Sequence, residues 1–448
     1  LILVLMGSFL LAIDSLALSM QRWPFSLEWL PTSAYLVGGA VRDILLGRSS
    51  QRLDLDFVLA EKAVETADAI ARHYQAGFVL LDAERQIARV VFEQATADFA
   101  LQVGSSLETD LRRRDFTINA IAYSPHTQTL SDPLQGFTDL QQGLIRMICR
   151  ENLQEDPLRL LRAYRQAAQL GFTVESTTRK VIQQLASLLM KVAAERVQTE
   201  LRYLLSHRSG TPWLIAAWQD GLLQDWFSQT SLPQLSILAA IDAAAETLNS
   251  THPKLVAELH RPIRDSAFAS PSCPRPPESL SSGDRSWLSL AKLSCLLSST
   301  PEHAILELSR LRYSRSEIRA AGIAVQFLPR LCDQPQSMSL KEQYDFFQNV
   351  GPVFPVLVIL SVAAGVPLEV ILPLVKRYLT PTDVVAHPQP LMTGQELMAA
   401  LHLKPGPLIG QLLAAIQLAQ AEGKVSTPSQ ALEFAIVLLQ PEEQSPSP

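Results

Sequence analysis

The period of apolar and polar positions changes several times within a short stretch near the start of the chain. Residues 34–37 form an apolar run, Gly38 and Gly39 follow, and a helical spacing opens at Val41-Arg42-Asp43 and closes near Gly47. Strand, glycine turn and helix in that order place backbone N–H groups where an anion can reach them, since neither glycine carries a Cβ. Residues 53–59, Leu-Asp-Leu-Asp-Phe-Val-Leu, return to a period of two. Alternate residues of a strand share a face, so Asp54 and Asp56 are predicted to point one way while Leu53, Leu55 and Phe57 enter a core. Paired carboxylates repel unless a cation lies between them. Hard oxygen ligands beside a phosphate turn suit Mg²⁺, and two such ions align attacking and leaving oxygens in phosphoryl or nucleotidyl transfer. Either feature alone reads equally as a plain turn or a solvated strand edge; the combination is more specific.

Downstream, residues 61–74 space Ala, Val and Ile helically, and 78–81, 88–92 and 97–101 read as short strands between polar turns. A small α/β domain with a sheet is predicted. Asp98, in the last of these strands, has two readings: a third carboxylate facing the same metals, or an ordinary exposed strand acid. Arg112, Arg113 and Arg114 then run directly into the apolar stretch 116–122, which ties a basic run to the domain interior. The arginine fork, permanently charged, suits triphosphate oxygens. Asp115 and Asn119, four apart, are predicted to share one helical face. Asp156-Pro157 fits a helix start and Gly171 its end, with Arg159, Arg162 and Arg165 following the acid at steps of three. This stripe either forms salt bridges and nothing more, or reads a base. An Asp that accepts from an exocyclic amino group beside an Arg that donates to a ring nitrogen matches cytosine and adenine, and leaves uracil and guanine with unpaired groups. Beyond about residue 205 the pattern is helical, interrupted by a Pro/Ser-rich interval at 261–286.

A chain of 448 residues has room for about two to four domains. The formal charge is −6, so any RNA-binding surface must be local. Four scattered cysteines without a Cys-x-x-Cys pair argue against a zinc site or a disulfide scaffold and fit a cytoplasmic location. The first eighteen residues are membrane-like in composition, but Asp14 interrupts them and no basic region precedes them. Residues 1–19 are expected to be a non-native or dispensable extension, with a membrane anchor as the alternative.

These runs resemble the family of class II CCA-adding tRNA nucleotidyltransferases and bacterial poly(A) polymerases. The GG-x-x-RD turn at Gly38–Asp43 with its D-x-D strand corresponds to the family's motif A, RRDFTIN at 113–119 to motif B, and EDPLRLLRA at 155–163 to motif D. Residues 131–148 carry the connecting DP-x-x-G-x-x-DL, residues 194–205 resemble motif E, and 391–435 resemble the C-terminal module with its TG-x-x-L, KPG and EG turns. The resemblance implies an α/β nucleotidyltransferase head with a small mixed sheet (20–148), then an all-α neck (149–205), helical body (206–260 and 287–380, flanking the 261–286 loop) and tRNA-binding tail (381–440), with 441–448 disordered. It implies catalysis and metal binding by Asp54 and Asp56 and triphosphate binding by Gly38, Gly39, Arg42, Arg113 or Arg114. Ribose discrimination falls to Asp115 and Asn119, and nucleotide reading to Asp156 and Arg159, with Arg162 and Arg165 beside them. Glu195, Arg196 and Glu200 are expected to brace the neck, and Lys404 to meet tRNA phosphate. The implied partners are the tRNA 3′ end and nucleoside triphosphates, CTP and, where A is added, ATP; the implied cofactor is Mg²⁺, and no stable membrane partner is expected.

The chain departs from many relatives in two respects. None of its eight histidines is followed by Asp, so no His-Asp phosphohydrolase activity is expected. Only QVGSSLETD lies between Leu101 and Leu111, where family members that add A carry a longer flexible loop. Full CCA addition, CC-only addition, poly(A) synthesis and an inactive RNA-binding protein all remain open at this point.

Overall fold

The structure, a computed structural model, describes residues 16–17, 19–48, 52–263, 285–333 and 338–439. The expectations for most of residues 1–19, for most of the 261–286 interval and for 441–448 lie outside the described residues. The chain forms two compact units, one running to Glu200 and including Ala216–Leu222, the other made of Leu201–Ile215 and Leu223 onward.

In the first unit, β1 (Tyr35–Val37), α1 (Gly39–Leu45), β2 (Leu53–Leu59), α2 (Ala63–His73), β3 (Gly77–Asp82), β4 (Ile87–Val91), β5 (Ala95–Leu101), α3 (Leu107–Arg112), β6 (Ala122–Ser124) and β7 (Thr129–Ser131) follow in order. Seven strands form one mixed sheet in the order β3-β4-β5-β2-β1-β6-β7, in which β2 and β5 pair in parallel and the other neighbours are antiparallel. The alternation in β2 places Leu55 and Phe57 in the core, where Phe57 stacks on Phe99 of β5 at 5.3 Å between ring centroids and meets Trp23 edge-on. Helix α2 buries Ala63, Ala67, Ile70 and Ala71, the face its spacing predicts. The acids of β2 are thereby turned to the opposite face of the sheet.

The unit continues through α4 (Gly136–Gln142), β8 (Leu144–Ile145), α5 (Arg150–Glu155), α6 (Leu158–Leu170), β9 (Thr173–Val174), α7 (Ser176–Leu185) and α8 (Ala194–Ser206), whose last residues belong to the second unit. The DP-x-x-G segment has a structural task. The Asp132 carboxylate accepts the N–H groups of Gly136 and Phe137, and a Cβ on Gly136 would lie 2.2 Å from the Thr117 carbonyl oxygen. Glycine lets α4 pack against the backbone that follows the arginine run. Helix α6 starts after Pro157 and stops at Gly171 in the left-handed conformation, φ 72°, as the sequence predicts. Its far side is anchored by Asp220, which accepts from Tyr164, Arg179 and Gln183.

The second unit is helical, from Leu232–Thr251 through Leu368–Tyr378, with a core that includes Leu238, Ile241 and the continuous run Phe354 to Leu360. Leu340–Ala363 is long and apolar enough to cross a bilayer, but 67% of its most apolar 18-residue stretch is buried inside the protein, as befits a core segment. The last three helices, Gly394–Leu401, Pro407–Ala421 and Pro428–Leu439, share a small core of Leu397, Ile409, Leu412, Ile416, Ala431 and Ala435. Thr393 and Glu396 close a reciprocal cap at the first of them.

Candidate active site

Strand β2 sits at the centre of the sheet, flanked by β1 and β5. Register puts Asp56 opposite Val37 on one side and opposite Asp98 on the other, and Asp54 opposite Thr96. Thr96 donates its hydroxyl to Asp54 Oδ1 at 2.5 Å. Directly after β1, Gly38 turns with φ 73° over the acids: a Cβ there would lie 3.2 Å from Asp56 Oδ2 and 3.4 Å from Arg114 Nη1. The glycine turn, the second acid and an arginine of the basic run therefore meet at one point. Burial, then the charges of Asp54 and Asp98, push the Asp56 carboxyl up to about 6, against the opposing pull of Arg114 and Arg89.

Asp98 lies on the same face as the pair, yet both its oxygens are taken. Arg89 of β4 donates Nε and Nη2 to them at 2.6 and 2.7 Å. Among the described residues no cluster of three or more His, Cys, Asp or Glu side chains is arranged to hold a metal. Asp98 is thus ion-paired with Arg89, and its charge adds to the negative potential at Asp56.

The arginine run closes α3. Asp110, buried, accepts from Arg114 Nη2 at 3.2 Å and from the Val103 N–H at 3.1 Å. Arg112 turns outward to Glu108. All three carbonyls of the run are held from the neck side: Asn152 Nδ2 donates to those of Arg112 and Arg114 at 2.7 Å, and Arg159 Nη1 to that of Arg113 at 2.9 Å. Asp115 and Asn119 do not share a helical face. Phe116 is extended and bridges Met147, so only a single turn, Thr117–Asn119, follows. The two side chains still meet, because Asn119 Nδ2 donates to Asp115 Oδ1 at 2.9 Å, while Asn119 Oδ1 accepts from Arg42 Nη1 at 2.8 Å.

On the α6 side, Asp156 Oδ2 accepts from Arg196 at 3.0 Å and Oδ1 from the Leu158 N–H at 3.3 Å. Arg159 Nη1 also donates to the Asn152 carbonyl at 3.0 Å. Arg162 reaches Asp115 Oδ2 at 3.4 Å and Glu200 at 3.7 Å. Arg165 lies further along the same helix. Its guanidinium is spent on Glu200 at 2.5 Å and Gln169 at 2.6 Å and is largely buried, so it braces α6 against α8. Lys404 stands exposed in the turn between Gly394–Leu401 and Pro407–Ala421, in the other unit.

Sequence reasoning did not find Arg89, Asp110, Asn152 or Gln166. Asp110 had a signal, its spacing of four from Arg114. Arg89 had none beyond being the one charge in an apolar strand, since its partner depends on the register of β4 against β5.

Comparison with known proteins bears on this geometry. Residues 34–146 match the family described as "Poly A polymerase head domain", 171–235 match "Probable RNA and SrmB- binding site of polymerase A", and 279–435 match "tRNA nucleotidyltransferase domain 2 putative". A protein of Synechocystis sp. named "CC-adding tRNA nucleotidyltransferase" is 46% identical over 93% of this chain and 96% of its own. An "A-adding tRNA nucleotidyltransferase" of Deinococcus radiodurans is 31% identical over 90% of this chain and 95% of its own. A solved CCA-adding enzyme with ATP superposes with a TM-score of 0.68 at 20% identity, covering 92% of this chain and 91% of that one, and so shares the fold. With identity of that extent along nearly the whole of both chains, this protein belongs to the family of class II tRNA nucleotidyltransferases and bacterial poly(A) polymerases.

Proposed function

We propose that this nucleotidyltransferase adds the two C residues of the tRNA 3′ CCA end from CTP and leaves the terminal A to a separate enzyme. The connection between β5 and α3 carries the reading. Where A-adding relatives are expected to have a long flexible loop, residues 102–106 are tied down: Gln102 N–H donates to the Leu59 carbonyl, Val103 N–H to Asp110, and Ser106 caps α3. The Synechocystis relative's name agrees with it.

Asp54 and Asp56 fit a divalent cation. They are adjacent, all-oxygen donors, and the proton affinity that repulsion and burial confer on Asp56 is what a cation would displace. Mg²⁺ bound there would neutralise phosphate charge and lower the pKa of the attacking hydroxyl. The chain's own side chains do the rest. Arg113 and Arg114 stabilise the triphosphate charge, together with Arg42, which is held beside the glycine turn by Asp43 and Asn119. Asp115, held by Asn119, meets the sugar. Asp156 accepts the N4 amino group of cytosine, and Arg159 donates to N3 through the N–H groups not used on the Arg113 and Asn152 carbonyls. Arg196 keeps the Asp156 carboxylate aimed.

The test offers the purified protein tRNAs ending before CCA, after C and after CC, with CTP or ATP supplied separately. C enters the first two and A does not extend the third. Addition of A to the CC-ending tRNA would establish full CCA synthesis instead, and no incorporation into any of them would sink the tRNA reading.

A further inference from the structure

Beyond the residues already given roles, one buried side chain joins the sugar site to the base-reading helix. Gln166 lies on α6 seven residues after Arg159 and four after Arg162, a spacing that puts all three on one face. It is 5% exposed, and its Oε1 accepts from Asn119 Nδ2 at 3.1 Å. Both hydrogens of the Asn119 amide are thereby assigned, one to Asp115 Oδ1 and one to Gln166, while its oxygen accepts from Arg42. The amide has a single orientation that satisfies all three partners. Asp115 is set by the same network. Its Oδ1 accepts from Asn119 and from the Phe116 N–H at 2.8 Å, and its Oδ2 meets Arg162 at the longer 3.4 Å, so Oδ2 is the acceptor with capacity for a sugar hydroxyl.

We propose that Gln166 is a positioning residue for ribose selection: it locks the Asn119 amide, and through it aims Asp115 Oδ2 at the 2′-hydroxyl of the incoming nucleotide. The inference rests on the proposed function and on Asp115 and Asn119 as the sugar-reading pair. A site built to bond a hydroxyl rejects the analogue lacking it, because a buried acceptor is then left unpaired. The rejection is strong only while the acceptor cannot swing away. Gln166→Leu keeps the volume of the side chain and removes the acceptor, which frees the amide to rotate. Gln166→Glu keeps an oxygen at the same place.

The experiment measures kcat/KM for CTP and for dCTP on a tRNA lacking its CCA end, with the wild-type chain, Gln166→Leu, Gln166→Glu and Asn119→Ala. The ratio of the two substrates is taken within one preparation, so a partly unfolded sample does not distort it. In Gln166→Leu the preference for CTP falls on the order of five-fold, the share of one net hydrogen bond, and Gln166→Glu stays within about two-fold of wild type. If Asn119→Ala loses the preference and Gln166→Leu keeps it, the role given to Gln166 is wrong while the sugar pair stands. A preference unchanged in both variants overturns the sugar assignment and the inference with it. A wild-type chain that incorporates neither nucleotide overturns the proposed function, and the inference falls too.

Discussion

Asp56 is held in the fold at a cost that a metal ion would reverse. Its carboxyl titrates near 6, above the ordinary value of 3.8, because it is packed under the Gly38 turn beside two other acids. A carboxyl raised in the folded state binds its proton more tightly there than in the unfolded chain. Between about pH 4 and 6 the metal-free protein therefore loses stability as pH rises, by at most about 3 kcal/mol from this group. Mg²⁺ favours the carboxylate, so the Tm increment it produces is expected to be larger at pH 7.5 than at pH 5; equal increments would argue against Asp56 as a ligand. Asp56→Asn removes the cost. In EDTA at pH 7.5 its Tm should exceed that of the wild type by a few degrees while nucleotide incorporation is lost, and at pH 4 the two Tm values should converge. Asp54→Ala, on the exposed side of the same pair, is expected to keep RNA binding in a filter assay and to lose incorporation. Unchanged incorporation would mean that the metal assignment is wrong.

Strand β2 and helix α6 were legible because each carries its own period. The two-residue alternation of β2 turned Asp54 and Asp56 away from the core, and the Pro157 start and Gly171 stop bounded α6. The missing parts depend on which element faces which. Nothing local says that Asn152 will hold the carbonyls of Arg112 and Arg114, because that bond joins α5 to the end of α3 across 40 residues. Nor does a stripe of arginines reveal that Arg165 is spent on Glu200 while Arg159 grips a backbone carbonyl; the partners lie on α8 and α3. The helical face expected for Asp115 and Asn119 failed because Phe116 leaves the helix to bridge Met147. The Asn152 clamp has a consequence of its own. Three successive carbonyls are held by it and by Arg159, which fixes the backbone from which Arg114 reaches Asp110 and the Gly38 turn. Asn152→Ala should raise the pyrophosphate concentration needed for half inhibition by about ten-fold, since pyrophosphate uses the triphosphate contacts and carries no base. Product inhibition equal to wild type, in a variant whose Tm is within a few degrees, would show that the clamp does not support the triphosphate contacts.

For the molecule as a whole, the balance of charge sets how it meets tRNA. A chain of formal charge −6 has no overall field to draw in a polyanion, so binding depends on individual phosphate contacts placed on a negative background. Each such contact releases counterions and contributes about 0.7 to 0.9 to the slope of log affinity against log salt. Lys404 is the residue proposed for one. It is exposed in a turn whose neighbours Leu397 and Ile409 fix the two flanking helices in their own small core, so its removal does not disturb packing. Lys404→Ala is therefore expected to lower the salt slope of tRNA binding by about 1 and to raise the KM for tRNA, with the KM for CTP at saturating tRNA unchanged. Binding measured between low and physiological salt gives the slope directly. A slope equal to wild type would remove Lys404 from the tRNA surface without touching the chemistry assigned to β2. A change in the CTP KM alone would place Lys404 at the nucleotide, which its position in the turn before Pro407–Ala421 gives no reason to expect.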